Sequence, residues 1–188
     1  MKTATEILRQ EHDAILRMLD ATEEVARRLG RRERVESEVL KSLLEFFRLF
    51  ADRCHHGKEE DLLFPLLEKK GLPRDGGPIG VMLMEHDQGR GLVGEMATSG
   101  QAYADGDSQV GLRWAAAAVD YVGLLREHIA KENQILFVMA ERMLTPGEQQ
   151  ELAAAFDRVE TEKLGAGTHE RLHAMMDKLL AELQPPSR

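Results

Sequence analysis

Apolar residues recur at three- and four-residue spacing through almost the whole chain, the period of an amphipathic helix, and no segment shows the strict alternation of a strand. The first stripe is Leu8, Ile15, Leu16 and Leu19. Thr3 and Glu6 open it as a capping box, and it closes near Leu29-Gly30, where glycine stops a helix well. A second stripe starts near Ser37 and carries Leu40, Leu43, Leu44, Phe47, Ala51, Leu62 and Leu66, with a kink or stop predicted at Pro65. Gly71-Leu72-Pro73-Arg74-Asp75-Gly76-Gly77-Pro78 is a loop. The third stripe, Ile79, Met82, Leu83, Val93 and Met96, is interrupted by several glycines. After a turn at Ala104-Asp105-Gly106-Asp107-Ser108 the fourth carries Trp114, Ala117, Ala118, Tyr121, Leu124, Leu125, Ile135 and Met139. Thr145-Pro146-Gly147-Glu148 opens a fifth helix that runs to about Leu164. Thr168, after Gly165-Ala166-Gly167, caps a sixth that ends before Pro185-Pro186. The pattern predicts an all-α fold: an up-down-up-down four-helix bundle over residues 1–140, with a two-helix C-terminal extension over 141–188 packed on it in the same domain.

The polar residues that break these stripes repeat. Glu11-His12-Asp13 recurs as Glu85-His86-Asp87, and His55-His56-Gly57-Lys58-Glu59-Glu60-Asp61-Leu62-Leu63-Phe64 recurs in frame as His128-Ile129-Ala130-Lys131-Glu132-Asn133-Gln134-Ile135-Leu136-Phe137. The distance from the first histidine to the second is the same in both copies to within one residue. Each module is therefore one histidine, a helix-loop-helix length of chain, and a His/Glu pair at i, i+4. Of seven histidines, four occupy these matched positions.

Bundle geometry turns the repeat into a site. His12 lies about nine residues into the first helix and His55 about nine before Phe64, so in antiparallel neighbours both stand roughly 14 Å from the same end. The same reasoning levels His86 with His128. Six groups then point inward at one height: His12, His55, Glu59, His86, His128 and Glu132. Two carboxylates and four imidazoles in an apolar core are costly unpaired. A metal centre removes that cost, and imidazole with carboxylate, without thiolate, selects iron, manganese or zinc. Two glutamates from opposite helices suit a dinuclear site in which each bridges two ions. The pattern thus predicts two iron ions, carboxylate- and oxo- or hydroxo-bridged, ahead of zinc or manganese.

Composition narrows the setting. The net charge of -8 with both signs interspersed argues against nucleic acid as the main partner. Arg27, Arg28, Arg31, Arg32 and Arg34 form a local basic cluster diluted by Glu33 and Glu36, read as a solvated helix end. The single cysteine, Cys54, cannot form an intrachain disulfide, and neither a signal core nor a membrane span is evident, so a soluble cytoplasmic protein is expected.

Over about residues 5 to 140 the chain resembles the hemerythrin-like (HHE cation-binding) domains, and His55-x-x-x-Glu59-x-x-Leu62-Leu63-Phe64-Pro65 is typical of bacterial members. The resemblance implies a non-haem di-iron centre with His12, His55, Glu59, His86, His128 and Glu132 as ligands. It also implies a protein that binds or reduces O2, peroxide or another small diatomic ligand, without membrane or nucleic-acid partners. Whether it turns over as an enzyme stays open. The alternative is a non-catalytic iron or redox sensor, or an iron-handling protein. The chain departs from the invertebrate oxygen carriers, which place two histidines four apart on the third helix. Here Met82 and Arg90 flank His86 at that distance, and the fourth-helix carboxylate is Glu132 at i+4 rather than an aspartate at i+5. One histidine ligand is missing.

His56 is a candidate replacement, although α-helical spacing sets it on a more polar face with Asp52, Arg53 and Glu60. His169 and His173, on the extension, are candidates to cap the centre, supply a ligand or relay protons, with a surface pair as the plainer reading. Tyr121 is either a hydrogen-bond donor near the centre or a core aromatic. Glu11, Asp13, Glu85 and Asp87 either orient ligand histidines through the second ring nitrogen or are favourable helix-start charges. Ile15, Leu62, Leu83, Leu124 and Ile135 are expected to wall the centre against water.

Overall fold

A computed structural model describes residues 2–165 and 167–183, all helix and connecting loop, with no strand among them. Six helices follow in order. Helix α1 is Ala4–Gly30, α2 runs 37–69, α3 is Pro78–Ala104, α4 runs 111–143, α5 is Pro146–Leu164 and α6 is Thr168–Leu183. The expected end of α6 before Pro185-Pro186 lies outside the described residues, as does Ala166. Helices α1 and α5 open with complete capping boxes, Thr3 with Glu6 and Thr145 with Glu148, which satisfies amide donors that a helix start otherwise leaves free.

Two hydrophobic clusters fill the bundle. One gathers Leu8 of α1, Leu63, Phe64 and Leu67 of α2, Ile79 and Met82 of α3, and Leu136, Phe137 and Ala140 of α4. Helix α5 closes that end with Leu152, Ala153 and Phe156. The second cluster holds Phe46, Phe47, Phe50, Trp114, Tyr121 and Leu125, and α6 covers it with Leu172, Met176, Leu179 and Leu183. Two of the glycines that weaken the α3 pattern serve close packing: a Cβ at Gly100 or Gly89 would stand 3.4 Å from Trp114 or 3.5 Å from Tyr121. No helix among the described residues is long and apolar enough to cross a membrane.

The structure differs from the sequence reading inside α2 and α4. Helix α2 is α-helical over Ser37–Phe46, π-helical over Phe47–His56 and Glu59–Leu63, and α-helical again over Phe64–Lys69. It therefore neither stops nor needs to break at Pro65. In the π turn before the proline, the Phe64 amide donates to the Glu59 carbonyl five residues back, and the next residue, Pro65, starts the final α segment at a position where its missing donor costs little. Helix α4 repeats the device in frame: Glu132–Leu136 is π-helical and the Phe137 amide donates to Glu132. The Phe47–His56 π segment has no counterpart, since Gly111–Lys131 is α-helical throughout.

Candidate metal centre

The six inward groups predicted from the repeat are all buried and meet between the two clusters. His12, His55, Glu59 and Glu132 bring ligand atoms within 4.8 Å of one another, as do Glu59, His86, His128 and Glu132. The two glutamates belong to both sets. Glu132 Oε2 stands 3.1 Å from His12 Nε2 and 3.2 Å from His128 Nε2. The Glu59 oxygens stand 3.6 Å from His55 Nε2 and 3.5 Å from His86 Nε2. Each glutamate thus reaches a histidine of its own copy and one of the other copy.

The second ring nitrogens are fixed with the same symmetry. Glu11 accepts from His55 Nδ1 at 2.8 Å and Glu85 from His128 Nδ1 at 2.9 Å, while Lys58 and Lys131 hold the other oxygen of each carboxylate. Across copies, Asn133 Oδ1 accepts from His12 Nδ1 at 3.0 Å and Glu60 from His86 Nδ1 at 2.6 Å. Arg9 pins Asn133 through its backbone carbonyl at 2.6 Å, and Arg90 pins Glu60 at 2.6 Å. Phe137 stacks on His12 at 5.3 Å and Phe64 on His86 at 6.0 Å. Every fixed position of H-x-x-K-E-x-x-(I/L)-L-F other than the isoleucine/leucine is accounted for by the centre or the core beside it. Of the two readings of the acidic residues, Glu11 and Glu85 orient histidines. Asp13 and Asp87 are exposed, and Asp87 pairs with Arg90.

An imidazole that donates from Nδ1 presents a bare acceptor at Nε2. His86 Nε2 and His128 Nε2 face one another at 3.1 Å, near the spacing of two imidazoles bound side by side to one cation through bonds of about 2.1 Å. His12 Nε2, His55 Nε2 and both oxygens of Glu59 and Glu132 are buried without a hydrogen-bond partner. Buried polar groups are ordinarily paired, so this concentration of orphaned acceptors at one point is the signature of groups shaped for a cation. Burial and the neighbouring Glu132 charge push Glu59 well above the usual carboxylate range. Burial opposes ionisation of Glu132 too, but His128 and His12 outweigh it and hold that carboxyl well below its ordinary value. Burial would likewise raise Glu11, yet the His55 hydrogen bond and the Lys58 charge bring it down to about 2. Burial and the nearby His12 lower His55 to about 4.

His56 is not on the polar face to which α-helical spacing assigns it. It follows His55 in a π-helical segment and both turn inward; in the second copy the matched Ile129, beside His128 in an α-helical stretch, is buried as well. His56 is 4% exposed, stacks on His86 at 3.8 Å between ring centroids, and forms a three-histidine group with His86 and His128. The signal in the sequence is the His-His pair, which has an isoleucine in place of the second histidine in the other copy.

His169 and His173 do not reach this cluster. They lie 4.6 Å apart and pack on Phe50 at 5.5 and 5.4 Å. His169 groups instead with Glu11 and Glu160, where the Lys58 ammonium already binds both carboxylates. Tyr121 is buried edge-on to Phe47 at 4.8 Å and lines a cavity of about 150 Å³ whose wall includes His56, Asp52, Arg90 and Gly89. The expected apolar wall is corrected at Ile135, which is 51% exposed; Phe64 and Phe137 stand against the histidines in its place.

The profile of the hemerythrin HHE cation binding domain matches residues 3–140. Uncharacterized proteins of Mycobacterium bovis and of two strains of Mycobacterium tuberculosis are each 26% identical over 163 residues. The match covers 87% of this chain and 63% of each relative, so the chain spans a little under two thirds of the length of these curated relatives.

Proposed function

Because the chain belongs to the hemerythrin HHE cation-binding family, we propose that it is a non-haem iron protein that binds or reduces dioxygen or peroxide at a pair of iron ions. In this reading α1–α4 alternate up and down, α5 and α6 pack on them in one domain, and Glu59 and Glu132 would be shared by the two ions. His12 and His55 would hold one ion; His56, His86 and His128 would hold the other. The observation that carries the reading is the set of orphaned buried acceptors on both glutamates, His12 and His55. When bound, iron supplies the redox chemistry.

The protein's own groups do the rest. Glu11, Glu85, Glu60 and Asn133 hold each ring so that Nε2 faces inward, which fixes tautomer and orientation before an ion arrives. Phe64 and Phe137 exclude water from two of the rings. The donor sets are unequal: three imidazoles and two shared carboxylates on one side, two imidazoles and the same carboxylates on the other. A small ligand is accommodated on the side of His12 and His55. Counting iron per chain and recording the visible spectrum of the oxidised protein, with and without added O2 or peroxide, tests the reading. Fewer than two irons, or a ferrous form blind to both oxidants, refutes it.

A second reading, an iron or redox sensor, draws support from one feature: all four helices α1–α4 contribute ligands, which ties metal occupancy to folding. A large metal-dependent stability change without catalytic consumption of oxidant would favour it.

A further inference from the structure

The internal repeat contains its own control. Lys58 and Lys131 are matched residues, and each binds the glutamate that holds a histidine of its copy: Lys58 to Glu11 and His55, Lys131 to Glu85 and His128. Their surroundings differ. The Lys131 side chain is 35% exposed, whereas that of Lys58 is fully buried. Helix α5 makes the difference. Phe156 lies under the Lys58 ammonium, 5.7 Å from nitrogen to ring centroid, and Glu160 provides a second carboxylate for it. The result is an unbroken line from the extension into the centre: Glu160, Lys58, Glu11, His55.

We infer that Glu160 is a positioning residue for the metal centre, acting through Lys58 and Glu11 on His55, so that the C-terminal extension governs one of the two ion sites and leaves the other alone. This rests on the two-ion reading above. A lysine in an apolar setting needs its partners, and one with a single carboxylate is free to follow solvent, as Lys131 does. With two carboxylates bound to it the Lys58 ammonium is held in place, Glu11 is held by it, and the His55 ring loses its freedom to swing. His55 belongs to the side with two imidazoles, so the constraint falls where a small ligand would bind. Outer partners of metal-bound histidines commonly set affinity by about 10- to 100-fold.

The test is Glu160→Gln in the full chain, which keeps the side-chain volume at a position 26% exposed, with Glu160→Asp as the charge-preserving variant. Each protein is loaded with ⁵⁷Fe, dialysed against graded chelator, counted for iron and examined by Mössbauer spectroscopy. The metal-free melting temperature of each is recorded alongside. Glu160→Gln is expected to lose one of two irons at roughly tenfold lower chelator than wild type, with one quadrupole doublet altered and the other unchanged. Glu160→Asp is expected to restore most of the retention. Unchanged iron retention and spectra with a lowered metal-free melting temperature would reduce Glu160 to a structural tie and overturn the inference, as would both doublets shifting together. A wild-type chain that takes up two irons while the variants behave like it refutes the inference alone; a wild-type chain that takes up none refutes the two-ion reading along with it.

Discussion

Replacing Glu59 by glutamine should pull stability and metal binding in opposite directions. In the metal-free protein both Glu59 oxygens are buried without a hydrogen-bond partner, beside a second buried carboxylate. Burial and the Glu132 charge push the Glu59 pKa up, so the folded-state value exceeds the unfolded one. The sign follows from linkage: stability contributed by such a group is fully present below the unfolded value near 4.5 and is lost as pH rises through the folded value. Near neutral pH the native carboxyl therefore carries a penalty that a neutral amide does not, and the amide can also donate to the bare acceptor on His55 or His86. An unsatisfied buried group costs about 1–3 kcal/mol. A chain of this size shifts by about 2–4 °C per kcal/mol, so metal-free Glu59→Gln should melt roughly 2–12 °C above wild type at pH 7.5. The advantage should shrink toward zero near pH 4. Glu132 supplies the contrast, because His128 and His12 already stabilise its charge, and metal-free Glu132→Gln should melt at or below wild type. Both variants should fail to load two irons. Calorimetry of chelator-treated protein across pH, with metal counts on reloaded samples, tests the reasoning. A Glu59→Gln protein no more stable than wild type at pH 7.5, or one whose advantage grows on acidification, refutes it.

Other outcomes follow from the same contacts. His56→Ala should keep more iron than Glu59→Ala or Glu132→Ala, because it removes one terminal donor while each glutamate serves both ions; equal iron in all three contradicts the assignment. Glu11, brought down to about 2 from 4.5, stabilises the metal-free fold above the unfolded value by about 3 kcal/mol, and this is lost as pH falls toward 2. Lys58→Met should flatten that acid limb in denaturant titrations. Phe156, buried against α5's end of the core, should cost about 3–5 kcal/mol on truncation to alanine, measured by urea unfolding. Chelation should lower the melting temperature of iron-loaded wild type, since the ions bind the folded state.

The helices and the inward placement of the six matched histidines and glutamates are legible because both depend on local periodicity. A stripe at three- and four-residue spacing marks a buried face, and a histidine or glutamate within it must point inward. What stayed hidden depended on backbone hydrogen bonds that side-chain patterns do not encode. α-Helical spacing sets His56 on the polar face, whereas the segment from Phe47 to His56 is π-helical and His56 is buried against His86. Pro65 was read as a break because the preceding π turn, which removes the need for its amide, was not anticipated. Ile135 was drawn into the apolar wall by the same uniform spacing and faces solvent beside the second π turn. Glu60 and Asn133 each serve a histidine of the opposite copy, a relationship that appears only when the helices are assembled.

The asymmetry of the centre can be traced to these backbone departures. Two copies of one module, left identical, would give two equal donor sets: two imidazoles each and two shared carboxylates. Both copies carry a π turn after the glutamate, and in both it sets the phenylalanine against a histidine of the other copy. Only the first copy carries a second π segment upstream, and only there does a histidine rather than an isoleucine follow the paired one. That segment sends His56 toward His86 and His128, adding a donor to the other module's side. On its own side it leaves Lys58 to be buried under α5. In the two-ion reading His56 thus adds a donor to one set while the extension constrains the other. Placing His at position 129 tests how much of the difference is residue identity, because Ile129 is already buried in the core although Gly111–Lys131 is α-helical throughout. An Ile129→His chain should therefore bring its two iron environments closer together than the parent's, and environments left as distinct as before would show that backbone winding, rather than residue identity, sets the difference.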